Sequence, residues 1–132
     1  MKALDSTALI DALEGDASLL RKVPTLDRVG VATTEVNAFE TLVGFFFRGG
    51  PTLPERLEAV HGMLGDLTVF PLDRGGALKA AEVAAELARE GRTLGTGDAL
   101  TAGIILSRGV DTIVTRDVEH FHRIRGLKVE GY

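Results

Sequence analysis

The chain contains no cysteine. That excludes disulfides, thiolate metal sites and a cysteine nucleophile, and it fits an intracellular protein. No apolar run approaches the ~20 residues of a membrane span, and Phe45-Phe46-Phe47 is far too short. Met1 leads directly into a strand-like segment, so no signal peptide is expected. There is no glycine-rich phosphate loop ending in lysine, and Gly95-Thr96-Gly97 lacks the remainder of a dinucleotide fingerprint. No serine has the glycine-flanked setting of a hydrolase elbow. Internal repeats, low-complexity tracts and linkers are absent too, and 132 residues suit one domain around one core.

A basic excess is also missing. Fifteen Lys and Arg against 19 Asp and Glu leave a formal charge of −4. This argues against a non-specific nucleic-acid coat, because phosphate binding usually needs a basic footprint. Carboxylates clustered around bound cations would change the count and leave the arginines as a basic rim. Composition therefore does not separate an acidic enzyme from one acting on nucleic acid. The 45% hydrophobic and 26% charged residues are the ordinary mix of a globular protein, which excludes wholesale disorder.

What is present is an alternation of short apolar strands with amphipathic helices, the pattern of an α/β fold with a mostly parallel sheet. Strands are expected at Ala3–Asp5, Arg28–Ala32, Leu67–Phe70, Thr112–Val114 and Leu127–Val129. A helix over Thr7–Leu13 has Ser6 as its cap and Gly15 as its stop. A second short helix over Asp16–Lys22 is ended by Pro24. Thr33 or Thr34 caps a long helix in which Val36, Phe39, Val43 and Phe47 follow helical spacing. Arg48–Pro54 is a loop, with Pro54 in the first turn of a helix running to about Leu64. Gly76–Ala88 and Asp98–Ser107 are further helices, the latter stopped by Gly109.

Four carboxylates fall inside or at the ends of these elements: Asp5 closes the first strand, Glu40 lies within the long helix, Asp98 opens a helix, and Asp117 follows the fourth strand. Carboxylates at the carboxyl ends of parallel strands point into the crevice where open α/β sheets bind ligands. Several converging there repel one another unless a hard divalent cation lies between them. Asp5-Ser6-Thr7 pairs such a carboxylate with two hydroxyls, Ser6 being placed to ligate or to bond a coordinated water; a helix cap is the competing reading. Asp98 has its own alternative, a first-turn acid favoured by the helix dipole. Glu40 is harder to explain away, since a carboxylate near an apolar face needs an arginine or a metal. Glu35, five positions earlier, has a sufficient role in the first turn. Thr115-Arg116-Asp117 adds a hydroxyl and a cation to the last acid, and Arg116, Arg123 and Arg125 are candidates to hold a phosphodiester backbone. His61, His120 and His122 show no ligand spacing on a helix, and His120 and His122 read as surface residues or phosphate contacts.

The chain resembles the PIN-domain ribonucleases, and within them the toxins of VapBC-type toxin–antitoxin pairs. The resemblance spans nearly the whole chain. It rests on Leu4-Asp5-Ser6-Thr7-Ala8-Leu9-Ile10, Glu40-Thr41-Leu42-Val43-Gly44, Gly97-Asp98-Ala99-Leu100-Thr101-Ala102-Gly103, and Val114-Thr115-Arg116-Asp117 with the trailing Phe121. It implies a three-layer fold around a central five-stranded sheet. It places the family's acidic quartet on Asp5, Glu40, Asp98 and Asp117, and its hydroxyls on Ser6 and Thr115. Thr7 stands where the family often has Asn, a change expected to weaken a polar contact near the metal. Asp117 stands where several relatives carry Asn, so it is expected to tune metal binding.

On that basis the expected activity is a cytoplasmic endoribonuclease using Mg²⁺ or Mn²⁺. Asp5, Asp98 and Asp117 bind the ion, and Glu40 holds a second ion or a coordinated water. The expected partners are RNA, a VapB-like antitoxin and a second copy of the chain. Alternatives are a PIN-like RNA-processing nuclease outside such a pair, an aspartyl-nucleophile phosphatase, and a non-catalytic binding module. The phosphatase wants a second Asp where Thr7 stands. Three successive helical positions turn by ~100° each, so Phe45, Phe46 and Phe47 cannot share one buried face. Phe45 or Phe46 is expected at a protein–protein contact, unless the following loop folds over the spare ring.

Overall fold

A computed structural model describes residues 1–132. The elements run β1 (Lys2–Leu4), α1 (Ser6–Glu14), α2 (Ala17–Leu20), α3 (Val23–Val29), β2 (Val31–Thr34), α4 (Glu35–Arg48), α5 (Leu53–Asp66), β3 (Thr68–Phe70), α6 (Arg74–Arg89), α7 (Thr96–Ser107), β4 (Thr112–Val114), α8 (Val118–Phe121) and β5 (Lys128–Glu130). The five strands form one sheet in the order β3-β2-β1-β4-β5, every neighbouring pair parallel. This is the α/β sheet flanked by helices that the alternating pattern predicts.

Both faces of the sheet are covered. Successive strand residues point to opposite faces. Ala3 and Ile113 therefore join Val83, Leu87, Ala102, Ile105 and Phe121 in one core under α6, α7 and α8. Leu4 and Val114 turn the other way and pack with Ala8, Leu9, Leu19 and Leu26 from α1, α2 and α3. A strand buried on both sides has no polar face to show, which is why Thr112-Ile113-Val114 carries so little alternation. Helices α6 and α7 approach closely because Gly103 has no side chain. A Cβ there would lie 2.3 Å from the backbone nitrogen of Ala80.

Several local expectations are corrected. Asp5, not Ser6, caps α1, its carboxylate accepting the Ala8 N–H. Pro24 does not end a helix but stands in the first turn of α3, where its missing N–H costs nothing. Arg28 and Val29 belong to that helix, and β2 begins after Gly30. Thr34 is the cap of α4, bonding the Asn37 N–H. The apolar positions of α4 identify a helix but face outward. Phe39, Val43, Phe46 and Phe47 are exposed, while Asn37, Ala38, Thr41 and Phe45 are buried. Phe45 is therefore a core residue, with the Arg56 guanidinium 5.4 Å above its ring. Phe47 is 93% exposed, so no loop covers it. No helix is long and apolar enough to cross a membrane.

Candidate active site at the carboxyl ends of β1 and β4

Strands β1 and β4 are adjacent at the centre of the sheet, and the chain leaves them in different directions. Such a switch point opens a crevice at the carboxyl ends of the strands. The register Leu4↔Val114 sets Asp5 beside Thr115 as both strands end. Helices α4 and α7 bring Glu40 and Asp98 to the same crevice, and Asp117 enters as the first residue of the turn into α8.

Asp5 is buried and held on both oxygens. Oδ1 accepts from Thr7 Oγ1 at 2.7 Å and from the Ala8 N–H at 3.0 Å, and Oδ2 accepts from Thr115 Oγ1 at 2.5 Å. Burial raises its pKa above the usual carboxylate value. The three hydrogen bonds oppose that rise, and the Asp117 charge adds to it. Thr7 is part of this network: its hydroxyl bonds Asp5, accepts the Arg116 N–H at 3.1 Å and lies 3.4 Å from Thr115 Oγ1. A short hydroxyl at this position reaches its neighbours from the first turn of α1, as the expected Asn would from a longer arm.

Glu40 is raised as well, by burial first and then by Asp98. Asn37 eases its charge, Asp5 adds repulsion, and Ser6 gives a smaller relief. Asn37 was not singled out from sequence, although it stands one helical turn before Glu40. Its Nδ2 donates to Glu40 Oε1 at 3.3 Å and to Thr101 Oγ1 at 3.1 Å, while Thr34 Oγ1 donates to its Oδ1 at 2.8 Å. The spacing from Asn37 to Glu40 was the signal available. Gly97, at the start of α7, faces the same carboxylate at close range.

Asp98 is raised by burial; His120 opposes that rise and Asp117 adds to it. His120 Nδ1 lies 3.2 Å from Asp98 Oδ2, with the ring more than half exposed. His120 is therefore on the surface, as expected, and its ring also reaches an acid of the crevice. Helix α8 creates this contact, and sequence periodicity is too short there to reveal it. Asp117 makes no side-chain capping bond to α8, and its N–H donates to Thr115 Oγ1 at 2.9 Å.

Asp5 and Asp98 each feel the charge of Asp117, Glu40 feels those of Asp98 and Asp5, and none of the four has a lysine or arginine within ion-pair distance. They do not close on one point. No three Asp, Glu or His side chains form a ready cation cage.

The basic candidates divide. Arg116 stands at the rim beside Asp117. Arg123 lines a groove with Arg92, Glu119, His120 and His122, continuous through His120 with Asp98. Its buried Nε has no hydrogen-bond partner. Arg125 lines a different pocket with Glu86 and Glu90, which Arg123 also lines. A second, largely apolar cavity of about 510 Å³ runs from Val36, Phe39, Leu72 and Leu100 to Glu40.

Comparison with known proteins gives three consistent results. The family described as PIN domain matches residues 2–127. The chain is 29% identical over 130 residues to a tRNA(fMet)-specific endonuclease VapC of Shigella flexneri, covering 98% of this chain and 96% of that protein. Its likeness to the Salmonella typhimurium protein of the same name is 28% over the same length and coverage. Among solved structures, a DNA-bound VapBC from Salmonella typhimurium matches with a TM-score of 0.85 at 26% identity, covering 98% of this chain and 96% of that one. VapBC2 from Rickettsia felis, bound to a DNA fragment from its promoter, matches with a TM-score of 0.87 at 19% identity, covering 99% and 98%.

Proposed function

The chain belongs to the PIN-domain family, and from that premise we propose that it is the endoribonuclease toxin of a VapBC-type pair, acting in the cytoplasm. The observation that carries the reading is the convergence of Asp5, Glu40, Asp98 and Asp117 at the β1–β4 switch point with no lysine or arginine to neutralise them. Asp5, Glu40 and Asp98, which burial and neighbouring negative charge hold above their usual pKa, are poor structural ion pairs and good ligands for a divalent cation.

Their donor chemistry fits Mg²⁺ or Mn²⁺. All the charged ligands are hard oxygens, and no thiolate is available to favour a softer ion. Asp5, Asp98 and Asp117 would hold the ion, with Glu40 beside them. When bound, the ion supplies Lewis-acid stabilisation of negative charge at phosphorus and an acidified water for hydrolysis. The chain's own residues do the rest. Thr7, Thr115 and the Ala8 N–H fix the Asp5 carboxylate. Asn37, itself bonded to Thr101, fixes Glu40, and His120 fixes Asp98. Ser6 lies next to both Asp5 and Glu40 and is available for a polar contact to the ion's shell. Arg116 and Arg123 meet the phosphodiester backbone, Arg123 from the groove it shares with His120, whereas Arg125 does not line that groove and is the weakest of the three candidates.

The exposed apolar stripe of α4 suits the other half of the reading. Phe39, Val43, Phe46 and Phe47 follow i, i+4, i+7, i+8 spacing and lie on the surface. A stripe of this size marks a protein-binding face, which we assign to the antitoxin and to a second copy of the chain.

The test is cleavage of tRNA(fMet), the substrate in the names of both relatives, by purified protein with Mg²⁺ or Mn²⁺. Wild type should cleave it, EDTA should stop the reaction, and Asp5→Asn should abolish it while the fold survives. Cleavage by Asp5→Asn at the wild-type rate would remove the site assignment. Intact RNA with the wild type under both ions would remove the nuclease reading itself.

A further inference from the structure

Asp11 lies on α1, outside the acid quartet, and its side chain is only 7% exposed. A buried carboxylate needs compensation, and Asp11 has two partners. Arg116 Nη1 donates to Oδ1 at 3.0 Å, and the Tyr132 hydroxyl donates to Oδ2 at 2.6 Å. Arginine and carboxylate ordinarily prefer two parallel hydrogen bonds. Here the pair is held by one, and the other oxygen is bonded by the Tyr132 hydroxyl. The Arg116 side chain remains 59% exposed, and most of the five N–H donors of its guanidinium are free.

The other end of Arg116 is anchored as well. Its backbone N–H donates to Thr7 Oγ1 at 3.1 Å, and the same hydroxyl donates to Asp5 Oδ1 at 2.7 Å. Arg116 thus sits between Thr115, which bonds Asp5, and Asp117. An untethered guanidinium in this place would be drawn onto the neighbouring carboxylates and would neutralise the crevice. Asp11 draws it the other way, toward the rim, where an RNA phosphate approaching the acids meets a cation first.

We propose that Asp11 and Tyr132 are positioning residues for RNA binding. Asp11 tethers Arg116 at the rim, and Tyr132, by bonding the second oxygen, holds the Asp11 carboxylate in the orientation that leaves the outer edge of the guanidinium for a phosphate of the substrate. The inference rests on the reading of the crevice as the RNA-cleaving site. The competing account is a staple that ties the segment after β5 to α1 and has no effect on RNA.

The test combines affinity with kinetics. Fluorescence anisotropy of labelled tRNA(fMet) in EDTA reads binding for wild type, Asp11→Asn, Tyr132→Phe and Arg116→Ala, each of the first two also combined with Arg116→Ala. Cleavage with saturating Mn²⁺ reads kcat and KM. Arg116→Ala should weaken affinity about tenfold or more, the size expected for a lost charge-assisted contact. Asp11→Asn and Tyr132→Phe should each weaken it severalfold and raise KM, with kcat within about twofold. In the Arg116→Ala background both should add nothing, because their action passes through that side chain. Unchanged affinity in Asp11→Asn and Tyr132→Phe, or effects that multiply with Arg116→Ala, would overturn the proposal. Should Asp11→Asn fail to fold, Tyr132→Phe with its double variant decides alone. Absence of cleavage by the wild type would count against the nuclease reading, whereas the binding cycle would still decide the tether.

Discussion

Gly97 faces the Glu40 carboxylate so closely that a Cβ on residue 97 would lie 2.8 Å from Oε2. That distance is below any real contact, yet the atom in the way is the far end of a flexible side chain. Gly97→Ala should therefore cost little stability and instead push Glu40 off its bond to Asn37. We expect a melting temperature within about 2 °C of wild type, a smaller stabilisation by Mn²⁺, and cleavage reduced about tenfold or more, since sub-ångström placement of catalytic groups carries large rate effects. Wild-type cleavage by Gly97→Ala would show that the position of Glu40 is immaterial.

The raised carboxylates make a prediction about pH. Asp5, Glu40 and Asp98 have folded pKa values above their ordinary 3.8, 4.5 and 3.8, with burial the largest cause of each. A raised acid favours the folded state fully below its unfolded pKa, and that contribution is lost as pH rises through the folded pKa. Asp73, Asp111 and Glu130 are lowered and act in the opposite sense. The difference between wild type and Glu40→Gln therefore isolates the crevice. In EDTA, Glu40→Gln should melt higher than wild type at pH 7, by on the order of a few degrees, and the gap should close as pH falls through the raised Glu40 pKa toward about 4.5. A gap that widens on acidification would contradict this sign.

On α4, Phe46 and Phe47 are exposed while Phe45 is buried. Phe47→Ser and Phe46→Ser should leave the melting temperature of the isolated chain nearly unchanged and weaken association, seen as a shift toward monomer in sedimentation and as loss of antitoxin capture. Phe45→Ser should instead unfold the chain, because deleting a buried aromatic costs about 3–5 kcal/mol. A monomer at high micromolar concentration, unaltered by either surface change, would refute the interface.

Gly103 supplies a control away from the site. Its Cβ would meet Ala80 backbone atoms at 2.3 and 2.5 Å, and backbone cannot step aside as the Glu40 carboxylate can. Gly103→Ala should lower stability by about 1–3 kcal/mol or more through overpacking, measured by urea melts. Whatever protein remains folded should keep the metal-induced stabilisation of the wild type.

Much of this architecture is legible in the residues themselves. The alternation of apolar strands and helices determined the α/β sheet, because a parallel sheet needs helical crossovers between its strands. The carboxylates at strand ends pointed to a crevice there, because open parallel sheets bind ligands outside the carboxyl ends of their strands. What sequence could not decide is which side of an element faces inward. In α4 the periodic apolar residues look like the core face. Tertiary packing reverses this, burying Asn37 and Thr41, since Asn37 finds its partners in Thr34, Glu40 and Thr101. A buried polar residue is acceptable only where distant chain segments supply hydrogen bonds, and no local pattern reveals those. The same holds for Asp11, whose partners Arg116 and Tyr132 lie 105 and 121 positions away. Local propensity and period determined the elements; the long-range hydrogen bonds that orient the acids and arginines arise only when the sheet brings β1, β4 and β5 side by side.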